Sequence, residues 1–199
     1  MNKKIGLSLA LAAIFFADAA KAEKIGFIND PELAQKSTAL QGLQAQREKM
    51  MALLKLDIEN EAKSIMEQKQ NLEEESAQLS KAELGKRLDE IDKAEQDLKA
   101  RAQEAVAELQ KNFLEAAVSF KEKAINPVVK ELAKEKEFDA ILNAANAFYM
   151  DDDLDVTDEA IRLINKKMPK VELKKVSLEK AKKAEAKSSK TDKKSKKSK

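Results

Sequence analysis

Carboxylates are the side chains of this sequence with the clearest chemical potential. Asp151-Asp152-Asp153-Leu154-Asp155 places four of them in five positions, and Glu73-Glu74-Glu75 forms a second cluster. Such clusters can bind calcium or work as acid–base pairs. The aspartate run, however, lacks the glycine and closing glutamate of an EF-hand loop. The glutamates fall on a charged helical face, and both clusters read as solvated surface charge. The chain has no His and no Cys, which removes the commonest general base, the thiol nucleophile and nearly all transition-metal sites. With four glycines in 199 residues, no phosphate-cradling loop can be assembled. The residues therefore point away from an enzyme, and no cofactor or metal is expected.

Binding by shape and apolar surface is what remains, and the composition describes the scaffold. Charged residues make up 37% of the chain and aromatics 4%. A large compact core needs more bulky side chains than this, whereas Ala, Glu, Lys, Leu and Gln in excess mark long helices. An elongated, mainly α (α+β) protein is expected. Its start, with Lys3 and Lys4, an apolar run from Ile5 to Ala17, and Ala20-Lys21-Ala22, reads as a secretory signal peptide cleaved after Ala22. The run is shorter than the roughly 20 residues of a spanning helix, and no Cys offers a lipid attachment point. An exported chain without disulfides must stabilise itself otherwise, and oligomerisation is the expected substitute.

The net charge of +2 conceals an asymmetry. Residues 170–199 hold 13 lysines against 4 acids, net +9; with +2 on the leader, residues 23–169 carry −9. The tail's composition predicts disorder. Three roles are open to it: a solubilising appendage, attraction to an anionic membrane surface, or folding back onto the acidic body. Export argues against nucleic acid as a partner.

In the body, Lys24-Ile25-Gly26-Phe27-Ile28 predicts one short strand, ended by Asn-Asp-Pro. A long helix begins at Ser37 or Thr38, with Met51, Ile58, Ile65, Leu72 and Leu79 recurring every seven residues, the seam of a coiled coil. Ser80 and Glu83 form an S-x-x-E capping box, after which Leu84, Ile91, Leu98 and Ala105 make a second seam. The reset predicts an antiparallel helical hairpin with its tip near residues 78–81; a single rod is the alternative, as no Pro or Gly marks the tip. Asn126-Pro127 should kink or break the returning helix. Phe138, Ile141 and Leu142, then Ala147 to Met150, predict a β-hairpin around Asn143-Ala144-Ala145-Asn146, followed by an acidic loop and a helix capped by Thr157. Three short strands make a marginal sheet with exposed edges. Ile25, Phe27, Phe138, Ile141, Phe148 and Tyr149 are therefore expected to form an interface between subunits.

This order of elements, with "KIGFIND" at the mature N-terminus and "FDAILNAANAFYMDDDLDVTDEAIRLINKK" near the end, resembles the Skp/OmpH family of periplasmic chaperones. The resemblance covers residues 23 to about 168; the acidic body and the Lys-rich extension depart from the family pattern. It implies a homotrimer with a central β body and three helical tentacles around a cavity, holding unfolded outer-membrane proteins without ATP. The expected domains are a leader (1–22), the first part of the body (23–37), the tentacle (38–119), the second part of the body (120–168) and the disordered tail (169–199). Met50, Leu53, Leu56 and Met66 point away from the predicted seam. They either pack against the body or a neighbouring subunit, or touch unfolded clients. The other function class compatible with the pattern is a coiled-coil spacer or scaffold of the cell envelope.

Overall fold

The computed structural model describes residues 23–179, so the leader (1–22) and the end of the tail (180–199) lie outside the described residues. Strand β1 (Ile25–Ile28) leads into α1 (Asp30–Lys36), α2 (Thr38–Glu75), α3 (Lys81–Phe120), a π turn (Lys121–Ile125), α4 (Asn126–Glu135), β2 (Ala140–Asn143) and α5 (Thr157–Lys167). Among the described residues no helix is long and apolar enough to cross a membrane.

Helices α2 and α3 form the hairpin. Their 38 and 40 residues reach about 57–60 Å at 1.5 Å per residue. Ser37 caps α2 through Leu40 N–H. At the tip, the chain turns through Ser76–Gln78 and restarts at Ser80, where the predicted capping box is present in both directions. Ser80 N–H and Oγ–H both donate to Glu83 Oε2, and Glu83 N–H donates to Ser80 Oγ. These bonds hold the Glu83 carboxyl below the usual carboxylate range.

The seam differs from a strict heptad. Met51 is exposed and Ile58 and Leu79 are only half-buried, whereas Leu43, Leu54, Ile65 and Leu72 are buried against Ile91, Leu98, Ala105 and Leu109. Leu43, Leu54 and Ile65 are eleven apart, as are Leu98, Leu109 and Phe120. Eleven residues make about three turns of an undistorted helix, so this spacing keeps one stripe facing the partner without the heptad's supercoil. Midway along, Arg101 is buried between the helices. It forks onto Glu61 through Nη1 and Nη2 and holds Asp97 through Nε at 2.8 Å. These bonds, above all those to Glu61, keep the guanidinium charged, and one bidentate pair in an apolar seam fixes the register.

The expected break at Asn126-Pro127 is replaced by the π turn. Asn126 N–H reaches back five residues to Lys121 O, and Pro127 sits in the first turn of α4, where its missing N–H costs least. Helix α4 ends in a Schellman motif: Phe138 N–H bonds Ala133 O at 2.8 Å and Glu137 N–H bonds Lys134 O. Glu137 takes the left-handed conformation (φ 56°) usually given to glycine. This turn directs the chain into β2.

The β-hairpin does not form. β2 pairs in parallel with β1, with Gly26 opposite Ile141 and Phe27 opposite Leu142. Residues 144–146 make a 3₁₀ turn, and 147–150 lie outside any strand. The distant β1 is a better partner than the local segment because it also brings Ile28 into the core. That core joins Ile28, Leu33, Ala39, Phe120, Val128, Leu132, Phe138 and Ile164, drawn from β1, all five helices and the turn before β2. Hydrogen bonds close it across the chain: Val156 N–H to Phe27 O, Asn29 N–H to Thr157 Oγ1, and Thr38 N–H to Asn165 Oδ1. Thr157 is the first residue of α5 rather than its cap; its N–H and hydroxyl donate to Asp155.

Two outcomes are expected. A Cβ at Gly26 would lie 2.7 Å from Cε2 of the buried Phe138 ring. Gly26→Ala should therefore cost about 1–3 kcal/mol by denaturant unfolding, and combining it with Phe138→Leu should cost less than the sum of the two. At the tip, the Glu83 carboxyl is depressed, so its contribution is present above the unfolded value and lost as pH falls through the folded one. Amide protection at residues 81–84 should hold at neutral pH and fade in acid, and Glu83→Gln should remove that dependence.

Candidate functional site

Among the described residues no cluster of His, Cys, Asp and Glu forms that could hold a metal ion; the candidate surfaces are apolar ones left uncovered. The first is the outer face of the small sheet. Strand side chains alternate, and Gly26, Ile28 and Ile141 take the core face. Ile25, Phe27 and Leu142 therefore share the other face. Beside it Ile25, Phe27, Tyr149, Met150 and Leu154 line an open groove of about 580 Å³. Phe148 is fully exposed and Tyr149 nearly so. The Tyr149 hydroxyl donates to Asp151, and this bond holds its proton above the usual phenol range.

Of the six residues expected at an interface, Ile25, Phe27 and Tyr149 line this groove and Phe148 is exposed, so four remain accessible. Phe138 is not: its ring is buried over Gly26 within one chain, with the Lys24 ammonium 4.8 Å from its centroid. Ile141 packs against the body core, and its neighbour Leu142 is the exposed one. A parallel register in place of the hairpin assigns the faces of β2 from β1, which the local sequence does not reveal.

The second surface runs along the arm. Leu53, Leu56 and Met66 are each more than half exposed, but they do not form one patch. At about 100° per residue, Leu53 and Leu56 face the flank and back of α2, while Met66 lies on the opposite flank. There it joins Ile58, Ala62, Leu98 and Ala102 in an open groove of about 670 Å³. Small residues paired on the facing helices, Ala62 and Ala102, are what leave this groove. Leu114 and Val118, one turn apart on α3, are a further exposed pair.

Met50 is covered by the chain's own C-terminal segment, a correction to the expectation that the tail is disordered from residue 169. Residues 169–178 leave α5 and run along the root of the arm as a strap. Leu173, Val176 and Leu178 are buried (6%, 8% and 3% exposed) in the same cluster as Leu43, Leu54 and Leu109, with Met50 and Phe113 packed alongside. Gln46 reads the strap backbone twice: its Nε2 donates to Val171 O at 2.8 Å and its Oε1 accepts from Leu173 N–H at 3.0 Å. Val176 N–H points to Met50 Sδ at 3.3 Å. Lys174 pairs with Glu115 at 2.8 Å and holds that carboxyl below its usual range.

A small α+β body interrupted by one long helical-hairpin arm defines a recognisable architecture. Residues 24–164 match the family described as outer membrane protein (OmpH-like), and the chain belongs to that family. The crystal structure of an OmpH-like outer membrane chaperone from Caulobacter crescentus CB15 matches with a TM-score of 0.72, covering 88% of this chain and 96% of that one at 10% identity. At that identity the likeness is one of fold. None of the functionally curated proteins matches in sequence.

The exposed aromatic pair yields a direct check. Phe148→Ser with Tyr149→Ser should lower the sedimenting mass of the mature chain at micromolar concentration while leaving its helical circular dichroism unchanged; an unchanged mass would remove both residues from any interface.

Proposed function

We propose that this protein is a periplasmic holdase chaperone: an oligomer, most simply a trimer, whose arms enclose unfolded outer-membrane β-barrel proteins and keep them apart without ATP. Membership of the OmpH-like family supports the chaperone class, and the fold shared with the Caulobacter OmpH-like protein supports the arm-and-body architecture that the reading needs. The observation that carries most weight within this chain is the arm itself. Its seam buries one stripe, and large apolar side chains (Leu53, Leu56, Met66, Leu114) remain uncovered along it. Flexible Leu and Met side chains spread over a long surface suit partners of no fixed shape. Many weak contacts inside an enclosure hold a chain without selecting one conformation, and an enclosed chain cannot offer its strand edges to another.

The body supplies the second requirement. A two-stranded sheet with an apolar outer face is marginal alone, and copies of the chain joined through Ile25, Phe27, Leu142, Phe148 and Tyr149 would cover it. An envelope spacer accounts less well for these features, since a spacer has no use for a hairpin with uncovered leucines on its back and flanks. The Lys-rich end, residues 180–199, retains the reading of a contact to anionic lipid surface.

The test is dilution of a urea-unfolded outer-membrane β-barrel protein into buffer with the mature chain and no nucleotide, with light scattering and complex mass read together. Suppressed scattering and a complex of three chains per client are expected; scattering unchanged by a properly assembled oligomer would retire the chaperone reading for that client class. In the same assay Leu53→Ser with Leu56→Ser should weaken client affinity about tenfold, equivalent to ~1.4 kcal/mol, with assembly unaltered.

A further inference from the structure

The strap occupies its groove in a way that is informative about what else could. Residues 171–177 run without helix or strand against the root of the arm before a helical turn at Leu178, with Val171, Leu173, Val176 and Leu178 packed in the arm's apolar cluster and Glu172, Lys174 and Lys175 exposed. Its polar anchors are mostly to backbone. The Gln46 amide supplies one donor and one acceptor to a strap carbonyl and amide two residues apart, which mimics the edge of a β ladder. Met50 Sδ takes a third backbone group. Among the described residues the strap's side-chain ion pair, Lys174 to Glu115, is largely solvent-exposed and contributes little. A groove that reads backbone amides and accepts apolar side chains at every second or third position recognises an extended chain with little regard to its sequence.

We propose that this groove, walled by Leu43, Gln46, Met50, Leu54, Leu109 and Phe113, is a binding site for extended segments of unfolded client, and that residues 170–178 are a built-in occupant that such segments displace. The inference rests on the chaperone reading and adds to it a site and a ligand class. Membrane β strands alternate apolar and polar residues, the pattern best able to replace the strap. The strap keeps the groove from binding a second copy of the chain when no client is present.

The test uses the full mature chain and two probes: a labelled peptide copying residues 170–179, and an unlabelled peptide alternating Leu and Thr. Releasing the strap by Leu173→Ser, Val176→Ser and Leu178→Ser should raise affinity for the labelled peptide at least tenfold over wild type. The alternating peptide should compete, a peptide of equal composition with its leucines in one block should compete poorly, and adding Gln46→Leu should abolish the gain. Failure of the released chain, intact by circular dichroism, to bind the peptide would overturn the proposal, as would equal competition by the blocked peptide. A second variant guards against misfolding. The chain has no cysteine of its own, so Glu115→Cys and Lys174→Cys can be joined by a short bis-maleimide linker that holds the strap down. The linked chain should suppress client aggregation less well than the unlinked one. Equal suppression would sink the groove as a client site and leave the chaperone reading standing.

Discussion

The joint on which the rest of the molecule depends is the parallel ladder between Ile25–Ile28 and Ala140–Asn143. Parallel strands need a crossover connection, and here the entire arm serves as that connection. Joining residues so far apart would carry a loop-closure cost in a flexible chain, although that cost grows only slowly with length. The hairpin reduces it, because two packed antiparallel helices return the chain to within reach of its origin. Arm and body therefore stabilise one another: the seam brings the strands together, and the ladder with the Phe138 ring over Gly26 fixes the root from which the helices project.

A two-helix arm has one unavoidable property. Each helix can bury a single stripe against the other, so every large apolar residue off that stripe stays in water or finds a third partner. Near the root the third partner is the strap, which covers Met50 and widens the buried cluster with Leu173, Val176 and Leu178. Further out no such cover exists among the described residues, and Leu53, Leu56 and Met66 remain open. Register along this thin structure rests on little apolar area, which explains the buried fork of Arg101 onto Glu61. A polar pair that fits in only one alignment excludes slipped alternatives better than further leucines would.

Features set by neighbouring residues were legible in the sequence. The capping box at Ser80 and Glu83, the start of α2 at Ser37, the first strand and the hairpin reading all depend on spacings of a few residues. What was misread depends on distant partners. Residues 138–150 have the composition of a hairpin, yet β2 pairs with a strand more than a hundred residues away, and that pairing assigns Ile141 inward and Leu142 outward. The exposure of Met51 reflects eleven-residue stretches laid among sevens, visible in retrospect in Leu43, Leu54 and Ile65. The strap was hidden by averaging. Residues 170–199 contain four large aliphatic side chains, few enough to suggest disorder, but all four fall between Val171 and Leu178, where they suffice to dock an extended segment. Of the candidate site, the aromatic pair at 148–149 and the exposed leucines of the arm were found from residue type and helical angle. The groove beside Met66 was not, because alanines that fill a seam and alanines that leave a gap are identical in sequence.

The π turn at Lys121–Ile125 has a consequence for how arm and body are joined. A π turn is one extra residue wound into an α-helix, and one residue corresponds to about 100° of rotation. Gaining or losing that residue would turn α3 by about 100° relative to α4, while α2 keeps its own anchor in the body through Ala39 and the Thr38–Asn165 hydrogen bond. The five residues at the root act as an indexing collar: they match the phase of the seam on α3 to the phase of the core face on α4. A seam and a core whose stripes fall out of phase can thus be joined in one helix by a single turn, without altering one side chain along the arm.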